Sequence, residues 1–265
     1  MIDLRVVLSD AKAKRDYYYS IFIGTHDTPV QLKDTVAFAL YSRCLQTHEA
    51  IEILASNALV DDAWVLLRSM AEHAINSAYM LLIAGDQTAR DFADYGKYTD
   101  YEYLQAIKGT DERAFRHQVS VETEEQARAR HEEVRARYDT KRGMDKWCPD
   151  GPLYKRADLV DTFIAQRTRD DDSPFLWLAN TAWRMASDYT HGAASVLAEQ
   201  VQPKEETRVT LQRIYTPEQA TAVLNWANFA LYIISIPIDI ALGGKNVAEI
   251  NKRNVAWAET LASSP

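Results

Sequence analysis

Apolar residues recur at helical spacing along most of this chain. Val36, Leu40, Cys44, Ile51 and Leu54 follow at three-, four- and seven-residue intervals, with no Pro or Gly between them. That spacing predicts a helix from about Leu32 to Asn57. A second is predicted from about Asp61 to Ile83. Asp61 and Asp62 suit its N-terminus, and Gly85 suits its stop. The break between them is a few residues, so the two should pair antiparallel. Further helices are expected at about Thr88 to Ile107, Leu153 to Gln166, Pro174 to Glu199, Pro217 to the Gly243-Gly244 pair, and Val247 to Leu261. Ser173-Pro174 reads as an N-cap with Pro at the first helical position, and Thr216-Pro217-Glu218-Gln219 as a capping box. The aromatic run Arg15 to Tyr19 is able to pack as an initial helix, before a turn at Thr25 to Pro29. From Val209 to Tyr215 the residues alternate, as in a short strand or an extended loop.

Two stretches depart from the pattern. Residues 110–141 are rich in Glu, Arg and His with few large apolar side chains, which reads as a solvated helical arm laced with i,i+4 pairs. Phe229 to Leu242 is nearly all apolar, but Pro237 and Asp239 interrupt it. The clean run falls short of the ~20 residues a spanning helix needs, so a buried core helix is expected and no membrane role.

Composition narrows the class. Of 265 residues, only 9 are Gly and 8 are Pro, too few for the many tight turns of a sheet-rich fold. The expectation is an all-α, single-domain helical bundle of about seven or eight helices over 1–265, with at most a minor extended segment near 208–215. A net charge of −8 supplies no global positive field to hold duplex DNA or an anionic membrane. RNA would need a local basic path, which Arg128, Arg130, Arg135, Arg137 and Arg142 offer and nearby Glu residues oppose. Cys44 and Cys148 are too few for a disulfide framework. The N-terminus lacks the plan of a signal peptide, so a cytoplasmic setting is expected.

No phosphate-binding glycine loop, dinucleotide fingerprint, zinc-protease motif or nucleophile elbow occurs. His and Cys do not cluster at zinc spacing, so no metal site and no cofactor are expected. Two helical segments carry polar groups in apolar surroundings. In the first, Arg68 and Glu72 are four apart and share a face, where a partly buried Arg needs a partner and Glu72 is nearest. In the second, Arg184, Ser187, Asp188 and His191 form one stripe over two turns. His191 suits proton transfer near neutrality, and Arg184 suits a phosphate or carboxylate. Ser187 or Asp188 is placed to hydrogen-bond the imidazole. The bland alternative is that both sets only fix helix packing.

The long helix, the short break, Leu66-Leu67-Arg68-x3-Glu72 and the later Ser187-x3-His191 resemble a widespread group of bacterial all-helical proteins, a domain of unknown function. The resemblance spans about Leu32 to Ser195. It implies an all-α fold with Arg68, Glu72, Ser187 and His191 around one polar pocket, and no reaction. Arg43 with His48, Arg68 with His73, and Arg184 with His191 also resemble the Arg-x4–6-His motif of HEPN domains, helical dimers that often act as metal-independent ribonucleases. A spacing of five leaves two side chains about 140° apart on a helix, whereas seven returns them to one face. Arg184 and His191 are therefore the preferred catalytic pair, although Met185 stands where many HEPN motifs carry a polar residue. That resemblance implies RNA as substrate, a homodimer, and a protein partner such as an antitoxin. The leading reading is a ribonuclease effector of toxin–antitoxin or phage defence. The alternative is a non-catalytic ligand-sensing or partner-binding module with a structural polar core.

Overall fold

The computed structural model describes residues 3–22, 31–95, 125–133 except 127 and 130, 147–168, 172–191, 201–205, 208–211 and 216–263, with the backbone alone at 201–205, 208–211, 257 and 260–263. Helix α1 is Leu4–Phe22. The hairpin that follows, α2 (Leu32–Ser56) and α3 (Val60–Leu82), matches the apolar spacing closely. Its tight reversal is made by Ala58 in the left-handed region at φ 61°. The Leu59 N–H then reaches the Leu54 carbonyl at 2.9 Å, closing the end of α2 without a glycine. Residues 86–95 form α4, the described part of the helix expected from Thr88.

Helix α5 is Leu153–Thr168. Next comes a composite element: α6 (Pro174–Leu178), a π turn (Ala179–Trp183) and α7 (Arg184–Thr190). Ser173 holds the N-cap position, but its side chain makes no cap bond. Asp161 of α5 caps instead, accepting the N–H groups of Phe175 at 3.1 Å and Leu176 at 2.7 Å. Burial outweighs those bonds and pushes its carboxyl up to about 6. Strands β1 (Val201–Glu205) and β2 (Arg208–Leu211) form an antiparallel ribbon, so the extended segment starts earlier than the alternation indicates. The capping box at Thr216 opens α8 (Pro217–Ala241), and α9 (Val247–Ser263) follows Gly243 and Gly244, both at positive φ. Of the charged 110–141 stretch, the described residues 125–126, 128–129 and 131–133 are helical and the rest lies outside the described residues.

Helices α2, α3 and α8 pack on one another as the centre of the bundle. Leu67, Met70, Ile75, Leu224 and Leu231 are fully buried there. Each large apolar side chain so buried contributes roughly 1.5–3 kcal/mol. Alanines line the contacts, among them Ala71 and Ala74 on α3 and Ala227 and Ala230 on α8, and let the backbones approach. Ser77 Oγ donates to the Ala37 carbonyl at 2.8 Å across α2 and α3. Helix α1 lies against α2 and α8, while α5 and the α6–α7 element line the other side of α3. Helix α8 is long and apolar enough to cross a membrane, yet 67% of its most apolar window is buried within the bundle.

Candidate functional site

The α3–α7 seam carries the residues singled out from sequence. Trp64 of α3 stacks on Tyr189 of α7, with ring centroids 5.4 Å apart and planes 6° from parallel. One turn on, Arg68 Nε donates to Ser187 Oγ at 3.1 Å, and the guanidinium carbon lies 5.1 Å from the centre of the Trp183 ring. Ser187 in turn donates to the Trp183 carbonyl at 2.7 Å. The π turn inserts extra backbone into what the pattern presents as one helix, and so resets the phase of everything after Leu178.

These pairings run in opposite senses: Trp64 then Arg68 on α3, Tyr189 then Ser187 and Trp183 on α7. The helices are therefore antiparallel. The step from Arg68 to Glu72 and the step from Ser187 to His191 lead away from each other, opening about 12 Å of helix rise at 1.5 Å per residue. The structure thus joins Arg68 to Ser187 and carries Glu72 and His191 to opposite ends of the seam. Glu72 is half-buried and has a partner other than Arg68. No carboxylate among the described residues reaches salt-bridge distance of Arg68.

Arg184, Asp188 and His191 are exposed on one face of α7, while Ser187 lies half-buried at the edge of that stripe. The side chains of Arg184, Asp188 and His191 make no hydrogen bond or ion pair among the described residues, so neither Ser187 nor Asp188 holds the imidazole. In the other two Arg-His spacings the arginine and the histidine share no hydrogen bond. Arg43 is exposed and donates to Gln46 Oε1 at 3.0 Å, whereas His48 is wholly buried. His73 is half-buried, and burial first, then the Arg43 charge, hold its imidazole below the ordinary histidine range.

A second polar cluster, unforeseen as a unit, lies between α1, α2 and α8. His48 Nδ1–H donates to Glu52 Oε1 at 2.7 Å, and His48 Nε2 is 3.0 Å from Asn228 Oδ1. Arg15 Nη1 donates to the other carboxylate oxygen of Glu52 at 2.9 Å. His48 and Glu52 are four apart among apolar neighbours, the signal that sequence offered; their partners lie 180 and 37 residues away. Elsewhere on α1, burial outweighs the pull of Asp10 and lowers the Lys14 ammonium to about 7.

A third cluster sits where the 147–152 loop meets α3. The Tyr79 hydroxyl donates to the Asp150 carboxylate, and burial first, then that bond and Cys148, push the phenol far up. Arg156 is wholly buried with its guanidinium carbon 4.8 Å from the Trp147 ring centre, and it donates to the Gly151 carbonyl at 2.8 Å. Among the described residues no group of His, Cys, Asp and Glu is arranged to hold a metal ion.

No curated protein and no solved structure matches the chain. A family model does, over residues 34–208, which takes in the α2–α3 hairpin, α5 and the whole seam. The chain belongs to that family, described as a family of unknown function, DUF5677.

Proposed function

We propose that the protein is a metal-independent endoribonuclease effector of the HEPN kind, acting in the cytoplasm as a homodimer. The observation that carries this reading is the α7 stripe: Arg184 and His191 are exposed on one face, and their side chains are taken up by no other described residue. In this chemistry His191 accepts the proton of a ribose 2′-hydroxyl. The 2′-oxygen attacks the adjacent phosphorus, and a cyclic phosphate forms. The departing 5′-oxygen takes a proton from the same stripe of a second copy. Arg184 stabilises the charge that gathers on the phosphate oxygens.

The test is incubation of the purified protein with mixed-sequence RNA in chelator, beside Arg184→Ala and His191→Ala variants whose folding is checked by circular dichroism. Cleavage by the wild type that both variants lose is the expected result. No cleavage, or equal cleavage by all three, refutes it.

The sealed His48–Glu52–Asn228 cluster favours a second reading, a ligand-sensing or partner-binding module whose polar core is structural. Polar groups that tie α2 to α8 with almost no exposure act on packing alone. On this reading His191→Ala leaves function intact.

A further inference from the structure

Arg68 is anchored without being neutralised. Its Nε is spent on Ser187 Oγ at 3.1 Å, and one face of its plane rests on the Trp183 ring at 5.1 Å. These contacts fix the orientation of the guanidinium and leave its two terminal Nη amines without a protein partner among the described residues. The side chain is half-buried, and neither Nη is sealed from solvent. A guanidinium held at its inner edge offers the outer fork, the geometry that grips two oxygens of an anion.

The surroundings add two donors. The indole N–H of Trp183, the ring beneath Arg68, is buried and unpartnered. So is the indole N–H of Trp64, which lies one turn before Arg68 on α3 and is 3% exposed. Buried indole N–H groups nearly always find an acceptor. Two orphaned ones, one in the ring beneath Arg68 and one a helical turn before it, mark a seam short of acceptor oxygens. The carboxylates near in sequence do not fill it, since Glu72 has its own partner and Asp188 is on the exposed face of α7.

We propose that the α3–α7 seam binds a phosphate group through the Arg68 fork, with the indole N–H of Trp183 as the second donor and that of Trp64 alongside. A phosphate is favoured over a carboxylate because its three terminal oxygens serve the fork and an indole at once. The site stands apart from the ribonuclease reading, because it needs neither Arg184 nor His191.

The experiment titrates inorganic phosphate, adenosine monophosphate and acetate separately into the full chain, without RNA, following tryptophan emission and thermal midpoint. Wild type, Arg68→Lys, Trp183→Phe and Arg184→Ala are compared, each checked by circular dichroism. Saturable binding of phosphate or the monophosphate, weakened about tenfold or more in Arg68→Lys and retained in Arg184→Ala, is expected. Tighter binding of the monophosphate than of phosphate would assign the group to a nucleotide; equal binding would assign it to free phosphate. If Arg68→Lys does not fold, weakened phosphate binding by Trp183→Phe supports the site and unchanged binding overturns it. Absence of saturable binding to the wild type, equal affinity in Arg68→Lys, preference for acetate, or loss only in Arg184→Ala overturns the proposal.

Discussion

Glu52 and Ser187 each take a hydrogen bond from an arginine on a neighbouring helix, Arg15 in one case and Arg68 in the other, with opposite consequences for water. At Glu52 the carboxylate also receives the His48 imidazole, which reaches Asn228 beyond it, and Arg15 is neutralised further by Asp16 and Glu49 at the outer edge. At Ser187 the acceptor is a neutral hydroxyl already donating to the Trp183 carbonyl, so the arginine keeps its charge and its outer edge. A closed cluster in a low-dielectric interior acts on stability, because every group depends on the others for its lost hydration. An open one is free to act on something outside the protein. The difference comes from the number of acceptors each cation finds, more than from depth alone.

The largest test of this contrast is Glu52→Ala. Removing the shared acceptor strands the buried His48 while Arg15 keeps Asp16 and Glu49, and a loss of about 3 kcal/mol in urea unfolding is expected. A loss below ~1 kcal/mol would mean that the cluster is solvated after all. Arg68→Ala should cost much less, about 1 kcal/mol, since one hydrogen bond and one ring contact go and no charge is left behind. If its cost rivals that of Glu52→Ala, the seam is a structural clamp. Arg184→Ala and His191→Ala, fully on the solvent side, should change stability by no more than ~0.5 kcal/mol. Larger losses there would argue against a stripe reserved for function.

A pH measurement sharpens the closed side. Burial lowers Lys14 from 10.5 to about 7, so between those values the unfolded chain holds more protons than the folded one. Stability from this group is therefore present above 10.5, falls as the pH drops, and is gone below about 7. Lys14→Met should stabilise relative to the wild type below pH 7, with the advantage shrinking toward pH 10.5, as read by thermal midpoints. A constant difference across that range would show that the ammonium reaches water.

Much of the bundle is legible in the sequence. The α2–α3 hairpin, the capping box at Thr216 and the buried course of α8 follow from apolar period and local capping chemistry, which act within a few residues. The seam was legible only in part. Arg68 and Ser187 stood out as polar groups in apolar segments, but the sequence pointed to Glu72 as the partner of Arg68, because i,i+4 neighbours are the only contacts that spacing alone specifies.

The chain by itself determined which segments are helical, which faces are apolar and where most helices start, because these depend on backbone propensity and short-range hydrogen bonds. Tertiary structure decided the rest. It sent the cap of α6 to Asp161 on another helix, in place of Ser173. It put a π turn inside an otherwise regular pattern and ran α7 antiparallel to α3, which joined Arg68 to Ser187 and parted Glu72 from His191. Local sequence sets the direction a side chain leaves its own helix. What waits for it there depends on how whole helices cross, and that is fixed by packing summed over the entire core.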